Sequence, residues 1–105
     1  MGVRDSEIKQ PREIILKGFD FSGTDRLQTG DALKLSTSSV VITDEDGLVV
    51  TMDMLVSGSL AISGTTISAL IKGGTAGKEY HVTFLVGTNF GELLEEDIII
   101  PVEDL

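Results

Sequence analysis

The sequence contains no cysteine and no tryptophan, and only one histidine and one tyrosine. Without thiols, neither a disulfide nor a thiolate metal site can form, which suits a reducing compartment or a particle assembled in one. The single imidazole, His81, supplies too few nitrogen ligands for a zinc site. Surface carbohydrate platforms stack sugars on Trp or Tyr rings, so a lectin has little support here. No run approaches the roughly 18 apolar residues of a membrane helix. The opening MGVRDSEIKQ lacks the apolar core of a signal peptide, and Gly2 with Ser6 alone does not make a convincing myristoylation signal. Positive charge is also scarce: 8 Lys and Arg stand against 17 Asp and Glu, for a net charge of −9. Scattered basic residues on an acidic chain oppose binding to phosphate backbones. They favour solubility and docking on a basic or mixed surface. The expectation is a chain with no cofactor, no nucleic-acid partner and no membrane partner.

Sustained apolar spacing at three and four residues is missing as well. What replaces it is alternation. In residues 80–86 (YHVTFLV), Tyr80, Val82, Phe84 and Val86 fall at every second position, which places them on one face of a strand and His81 and Leu85 on the other. After Thr88-Asn89-Phe90-Gly91 the chain returns with Ile98, Ile100 and Val102 on a shared face, so the two segments form a hairpin. Upstream, residues 73–78 (GGTAGK) read as a glycine-rich loop. Tyr80 follows directly. Two structural readings stand for it: a tyrosine corner, whose hydroxyl bonds back to the backbone a few residues upstream, or a tyrosine half buried at a strand end.

The remaining chain gives further strands. Residues 12–17 (REIILK) form the first, broken by Gly18, with Phe19 and Phe21 pointing the same way onto the end of the core. Residues 24–31 form a loop or short helical turn anchored by Leu27. Leu33 and Leu35 face inward on a second strand that bends at Ser38-Ser39 and resumes at residues 40–43. Residues 48–56 (LVVTMDMLV) read as one strand, 59–63 as a short one, and 66–71 as one with Ile67, Ala69 and Ile71 on a face. About seven strands with turn signals every eight to twelve residues indicate an all-β, Ig-like or fibronectin-III-like sandwich of antiparallel strands. At 105 residues there is room for one domain. Residues 12–105 form it. Residues 1–11, polar and ending in Gln10-Pro11, form a flexible arm that either orders on a neighbouring subunit or frays.

Catalytic chemistry is not supported. A lone outward His81 does not make a triad. Asp44-Glu45-Asp46-Gly47 reads as a solvated turn, because a calcium loop needs six to eight oxygens and nothing here completes the set. Glu95-Glu96-Asp97 reads as a solvated charge run that discourages edge pairing, and no P-loop spacing occurs. The chain is expected not to be an enzyme.

Several segments carry a family resemblance. They are Lys9-Gln10-Pro11 with Glu13, Phe19-Asp20-Phe21-Ser22 followed by Leu27, Gly30 and Asp31, and Gly47-Leu48 with Val50. Gly64-Thr65 with Ile67 follows, then GGTAG at 73–77 with Tyr80, Val82 and Thr83, and finally Thr88, Gly91, Glu95 and residues 98–102. Over residues 9–102 the chain resembles a family of small phage and prophage structural proteins, and it departs from them at Asn89-Phe90 and in lacking Trp. The resemblance implies a virion component with an Ig-like sandwich, present in many copies, assembled in the bacterial cytoplasm, with no catalytic residues. The leading expectation is a capsid-associated decoration or cement subunit that contacts the major capsid protein, other virion proteins and copies of itself. A neck, head-tail or tail component, or an Ig-like host-surface adhesion module, is the alternative. The partner-binding residues expected are Phe19, Phe21, Leu27, Thr75, Lys78 and Phe90.

Overall fold

Alternation of apolar residues becomes two packed β-sheets. The structure, a computed structural model, describes residues 2–4, 8–22 and 26–105. Expectations for residues 1, 5–7 and 23–25, parts of the N-terminal arm and of the loop before Leu27, lie outside the described residues. The elements are β1 (Gly2–Arg4), β2 (Ile15–Asp20), β3 (Leu33–Thr43), α1 (Thr51–Met54), β4 (Ala61–Ser63), β5 (Thr66–Ile71), β6 (Lys78–Thr88) and β7 (Leu93–Val102). One sheet has the order β1-β7-β6-β3 and the other β2-β5-β4. All strand pairings among the described residues are antiparallel except β1 with β7, which is parallel.

The predicted inward faces meet between the sheets. Tyr80, Val82, Phe84 and Val86 from β6, Ile98, Ile100 and Val102 from β7, and Ile67, Ala69 and Ile71 from β5 are all buried. Ala69 is the small member of that row. Burial of such side chains removes apolar area from water, the main favourable contribution to folding.

Four local expectations are corrected. The first strand does not stop at Gly18: β2 continues through Phe19 and Asp20, each paired across to β5. Gly18 is required by crowding rather than by a break, since a Cβ there would lie 2.2 Å from the Ile67 carbonyl oxygen. Leu35 does not face inward; it is 48% exposed. The register of β3 against β6 slips between Lys34 and Ser39, and a bulge there re-aims the side chains it contains. Ser38, where a bend was expected, fixes the bulge: its hydroxyl donates to the Lys34 carbonyl (2.7 Å) and accepts from the Gly87 N–H (3.1 Å). Residues 48–56 are not a strand. They make isolated bridges at Val49 and Leu55 around the single turn α1. Met54 supplies the core contact there while Met52 turns outward, a periodicity that simple alternation cannot produce. Finally, Glu96 is not part of a solvated run. It sits opposite Phe84 in the core-facing row of β7. Its side chain is 11% exposed and paired with Arg26 at 2.5 Å.

The N-terminal segment is tied to β7. Beyond the β1 pairing, the Lys9 N–H donates to the Pro101 carbonyl and the Glu103 N–H to the Lys9 carbonyl, both at 3.0 Å. The Lys9 side chain is fully covered. Its ammonium donates to the carbonyls of Gly73 (2.6 Å), Gln10 (2.8 Å) and Pro11 (3.4 Å). Desolvation lowers the Lys9 pKa, and the nearby Glu13 carboxylate opposes that shift. Charge-assisted bonds to three carbonyls are what make a covered ammonium tolerable.

Candidate functional site: exposed groups at the two ends of the sandwich

The molecule is elongated, 43 × 24 × 23 Å along its principal axes. Strand β6 sets the long direction: eleven residues at roughly 3.3 Å each span about 33 Å. The loop holding Thr75 and Lys78 lies at its start. The turn holding Phe90 lies just past its end.

At the loop end, Tyr80 positions the site. Its ring is buried, and its hydroxyl accepts the Thr75 N–H at 2.9 Å. The tyrosine corner is therefore formed, and of the two readings of Tyr80 it is the one realised. Gly74 makes the loop tight: it has φ +97°, and a Cβ there would lie 2.9 Å from Val102 Cγ2. Both the left-handed backbone and the contact demand glycine. Thr75 and Lys78 are exposed. Together with Asp44, Val50, Asp53, Met54, Gly74 and Tyr80 they line a hollow of about 270 Å³. Asp44 Oδ1 accepts the N–H groups of Asp46 (2.9 Å) and Leu48 (3.0 Å), closing the turn on itself. Among the described residues no group of three or more His, Asp or Glu side chains converges on a metal position.

Beside this hollow lies a group that sequence reasoning missed. Leu48, Val49 and Met52 are exposed, Met52 at 94%. The backbone carrying them is held firmly. Val50 N–H donates to the Ile42 carbonyl (2.8 Å), Ile42 N–H to the Thr51 hydroxyl (2.9 Å), and Lys72 N–H to the Met54 carbonyl (2.7 Å). Reading residues 48–56 as a half-buried strand hid these residues. The available signal was the pair Met52 and Met54, which one face of a strand cannot place one out and one in.

At the other end, Phe90 is 57% exposed on the β6–β7 turn, with Leu93 and Leu35 also exposed nearby along the paired strands. The turn is fixed from outside the hairpin. Asp31 Oδ1 accepts the N–H groups of Phe90 (3.0 Å) and Ala32 (2.8 Å), and the Asn89 N–H donates to the Ala32 carbonyl (2.9 Å). Desolvation raises the Asp31 pKa. Hydrogen bonds from the Thr88 side chain and from the backbone of Ala32, Phe90 and Asn89 outweigh it, and the net shift is downward.

The other expected contact residues are drawn inward. Phe21 is 1% exposed and offers no free face. Phe19 packs on it edge-to-face with centroids 4.8 Å apart, and both Phe19 and Leu27 are partly buried against the core. The Arg26 guanidinium lies 5.1 Å from the Phe21 ring centre, bonds to Glu96 and donates to the Glu95 carbonyl. This aromatic and ionic cluster closes the side of the sandwich. Of the six residues expected, Thr75, Lys78 and Phe90 are exposed, and they stand at opposite ends rather than together.

No curated protein matches the chain. The model of one protein family, described as podophage GP4 fiber-tail adaptor protein gp77, matches residues 9–101. That match takes in both sheets from Lys9 through nearly all of β7, and the chain therefore belongs to this family of phage virion structural proteins.

Proposed function

We propose that the chain is a fibre-tail adaptor: a rigid, non-catalytic sandwich that joins two virion proteins by holding one contact surface at each end of its long axis. The observation that carries this reading is the placement of two exposed apolar groups, Phe90 with Leu93 and Leu35 at one end and Leu48, Val49 and Met52 at the other. Exposed apolar residues grouped together, unlike ones scattered singly, are candidates for a partner's surface. The family description speaks of fibre and tail. It favours the neck or tail reading over a shell decoration bound to the major capsid protein. An Ig-like reading of the sandwich draws support from the sheet order β2-β5-β4 against β7-β6-β3 and from the Tyr80 corner. In the particle, fixed copy number and geometry multiply modest contacts into durable attachment.

The test is an image reconstruction of the virion together with the variant Phe90→Ala. Density for this sandwich is expected at the tail where fibres attach, and F90A is expected to reduce occupancy while shifting the melting temperature by less than about 2 °C, as a surface substitution does. Density spread regularly over the capsid shell refutes the adaptor reading. A large loss of stability in F90A places the ring in the fold and removes it from the interface.

A further inference from the structure

We infer that the surface formed by Leu48, Val49 and Met52 docks on a virion protein whose matching surface is apolar at its centre and basic at its rim. This inference rests on the adaptor reading and specifies the partner of one of its two ends.

Three observations carry it. Met52 is almost wholly exposed on a turn whose backbone is fixed by bonds to Ile42 and Lys72 and whose next-but-one residue, Met54, is anchored in the core at 2% exposure. A fixed backbone removes the cost of ordering the turn on binding, so that only the Met52 side chain itself loses freedom when it is buried. Thr51, Met52, Leu55 and Ser57 line a hollow of about 230 Å³ beside it, large enough to receive an apolar side chain from a partner. The charges around the patch are mostly of one sign. Residues 44–53 hold Asp44, Glu45, Asp46 and Asp53 and no basic residue. Lys72 and Lys78 lie at the margin, through the Lys72–Met54 backbone bond and the hollow that Lys78 shares with Asp44 and Asp53, and they offset only part of that charge.

Charge complementarity selects the occupant. A second copy of this chain would bring another net −9 and the same carboxylate rim, and like charges facing across an interface repel. A basic rim on a foreign protein gains from each carboxylate. Polarizable, adaptable methionine suits the centre of such a contact.

The experiment is oxidative footprinting of methionine in purified virions and in the free chain, with binding of the free chain to tail particles assembled without it. Dilute peroxide converts accessible Met to its sulfoxide. In the free chain Met52 is expected to oxidise quickly and Met54 slowly. In the virion, Met52 oxidation is expected to slow by about tenfold or more. Met52→Ser is expected to weaken binding to the particles about ten- to a hundredfold at every salt concentration, as loss of a buried Met side chain does. The pair Asp46→Lys and Asp53→Lys is expected to weaken it about tenfold at low salt and to approach wild type as salt screens the rim. Circular dichroism spectra matching wild type establish that these variants fold.

Other outcomes overturn the inference in distinguishable ways. Met52 oxidising as fast in virions as in the free chain removes this surface from the interface, and attachment to the tail then rests on the Phe90 end alone, which density at the tail and the F90A variant test separately. Protection with no response to salt or to charge reversal refutes the basic partner. Concentration-dependent protection of Met52 in the free chain, together with a dimer in sedimentation that M52S abolishes, makes the occupant a second copy. Absence of the chain from purified virions overturns the adaptor reading and this inference with it.

Discussion

Replacing Tyr80 with Phe tests the link between fold and site at a single atom. The substitution keeps the ring, and therefore the core packing against Val102 and Met54, and removes only the hydroxyl that accepts the Thr75 N–H at 2.9 Å. That N–H then loses its acceptor on the ring and is left to water. Loss of a bond of this kind, with its donor left partly unsatisfied, costs about 1–2 kcal/mol. For 105 residues, an unfolding entropy of about 2.1 cal/mol/K per residue gives about 0.22 kcal/mol/K, so the melting temperature should fall by about 5–9 °C. Differential scanning calorimetry reads the fall, and amide exchange at Thr75 locates it. The loop carrying Thr75 and Lys78 should exchange faster while Val82 and Ile100 keep their protection. A melting temperature within about 1 °C of wild type, with Thr75 exchange unchanged, would refute the argument that this bond holds the loop. A fall in stability without faster Thr75 exchange would show that the cost arises elsewhere in the core.

Other perturbations probe the remaining contacts. Gly87→Ala should destabilise the protein by about 1–3 kcal/mol in urea unfolding, because a Cβ there meets Thr37 Oγ1 at 1.9 Å beneath the β3 bulge. Arg26→Leu should cost about 1–2 kcal/mol by leaving the Glu96 carboxylate unpaired in the row of Phe84. Arg26→Leu with Glu96→Leu should recover most of that loss, since removing both partners leaves no orphaned charge. Asp20 titrates below its ordinary range because the Thr65 hydroxyl and the Ser22 backbone and side chain donate to it, and Asp31 is lowered by its bonds at the hairpin turn. Folded pKa values below the unfolded value of about 3.9 stabilise fully above that pH, and the contribution is lost as pH falls through the folded values. Urea midpoints should therefore drop below about pH 4, and Asp20→Asn with Asp31→Asn should flatten that drop.

Strand identity was legible wherever one face is buried and the other is not. The alternation in β5, β6 and the end of β7 reports directly which side meets the core, and Ile67, Ala69, Ile71, Val82, Phe84 and Ile100 lie where that period places them. The face of Tyr80 was legible for the same reason, but the two readings of its hydroxyl were separated only by the bond from the Thr75 N–H. Legibility failed where non-local contacts override local pattern. Gly18 marks close approach of another strand's carbonyl, which no neighbouring residue encodes. Lys9 reads as a solvated residue of a polar arm, yet its ammonium meets the carbonyl of Gly73, far along the chain, as well as those of its neighbours Gln10 and Pro11. Phe19 and Phe21 look like loop contacts until Arg26, paired with Glu96, lies against their rings.

The amino-acid sequence by itself determined the class of this protein. A two-residue apolar period and glycines at the turns lead to an all-β sandwich. Tertiary structure alone decided which apolar residues are left exposed. Exposure depends on what the rest of the chain leaves uncovered, and one turn of helix at residues 51–54, fixed by distant backbone bonds, sends Met52 outward and Met54 inward. The length of β6 then sets Met52 and Phe90 at opposite ends of the body, the separation on which the proposed adaptor role rests.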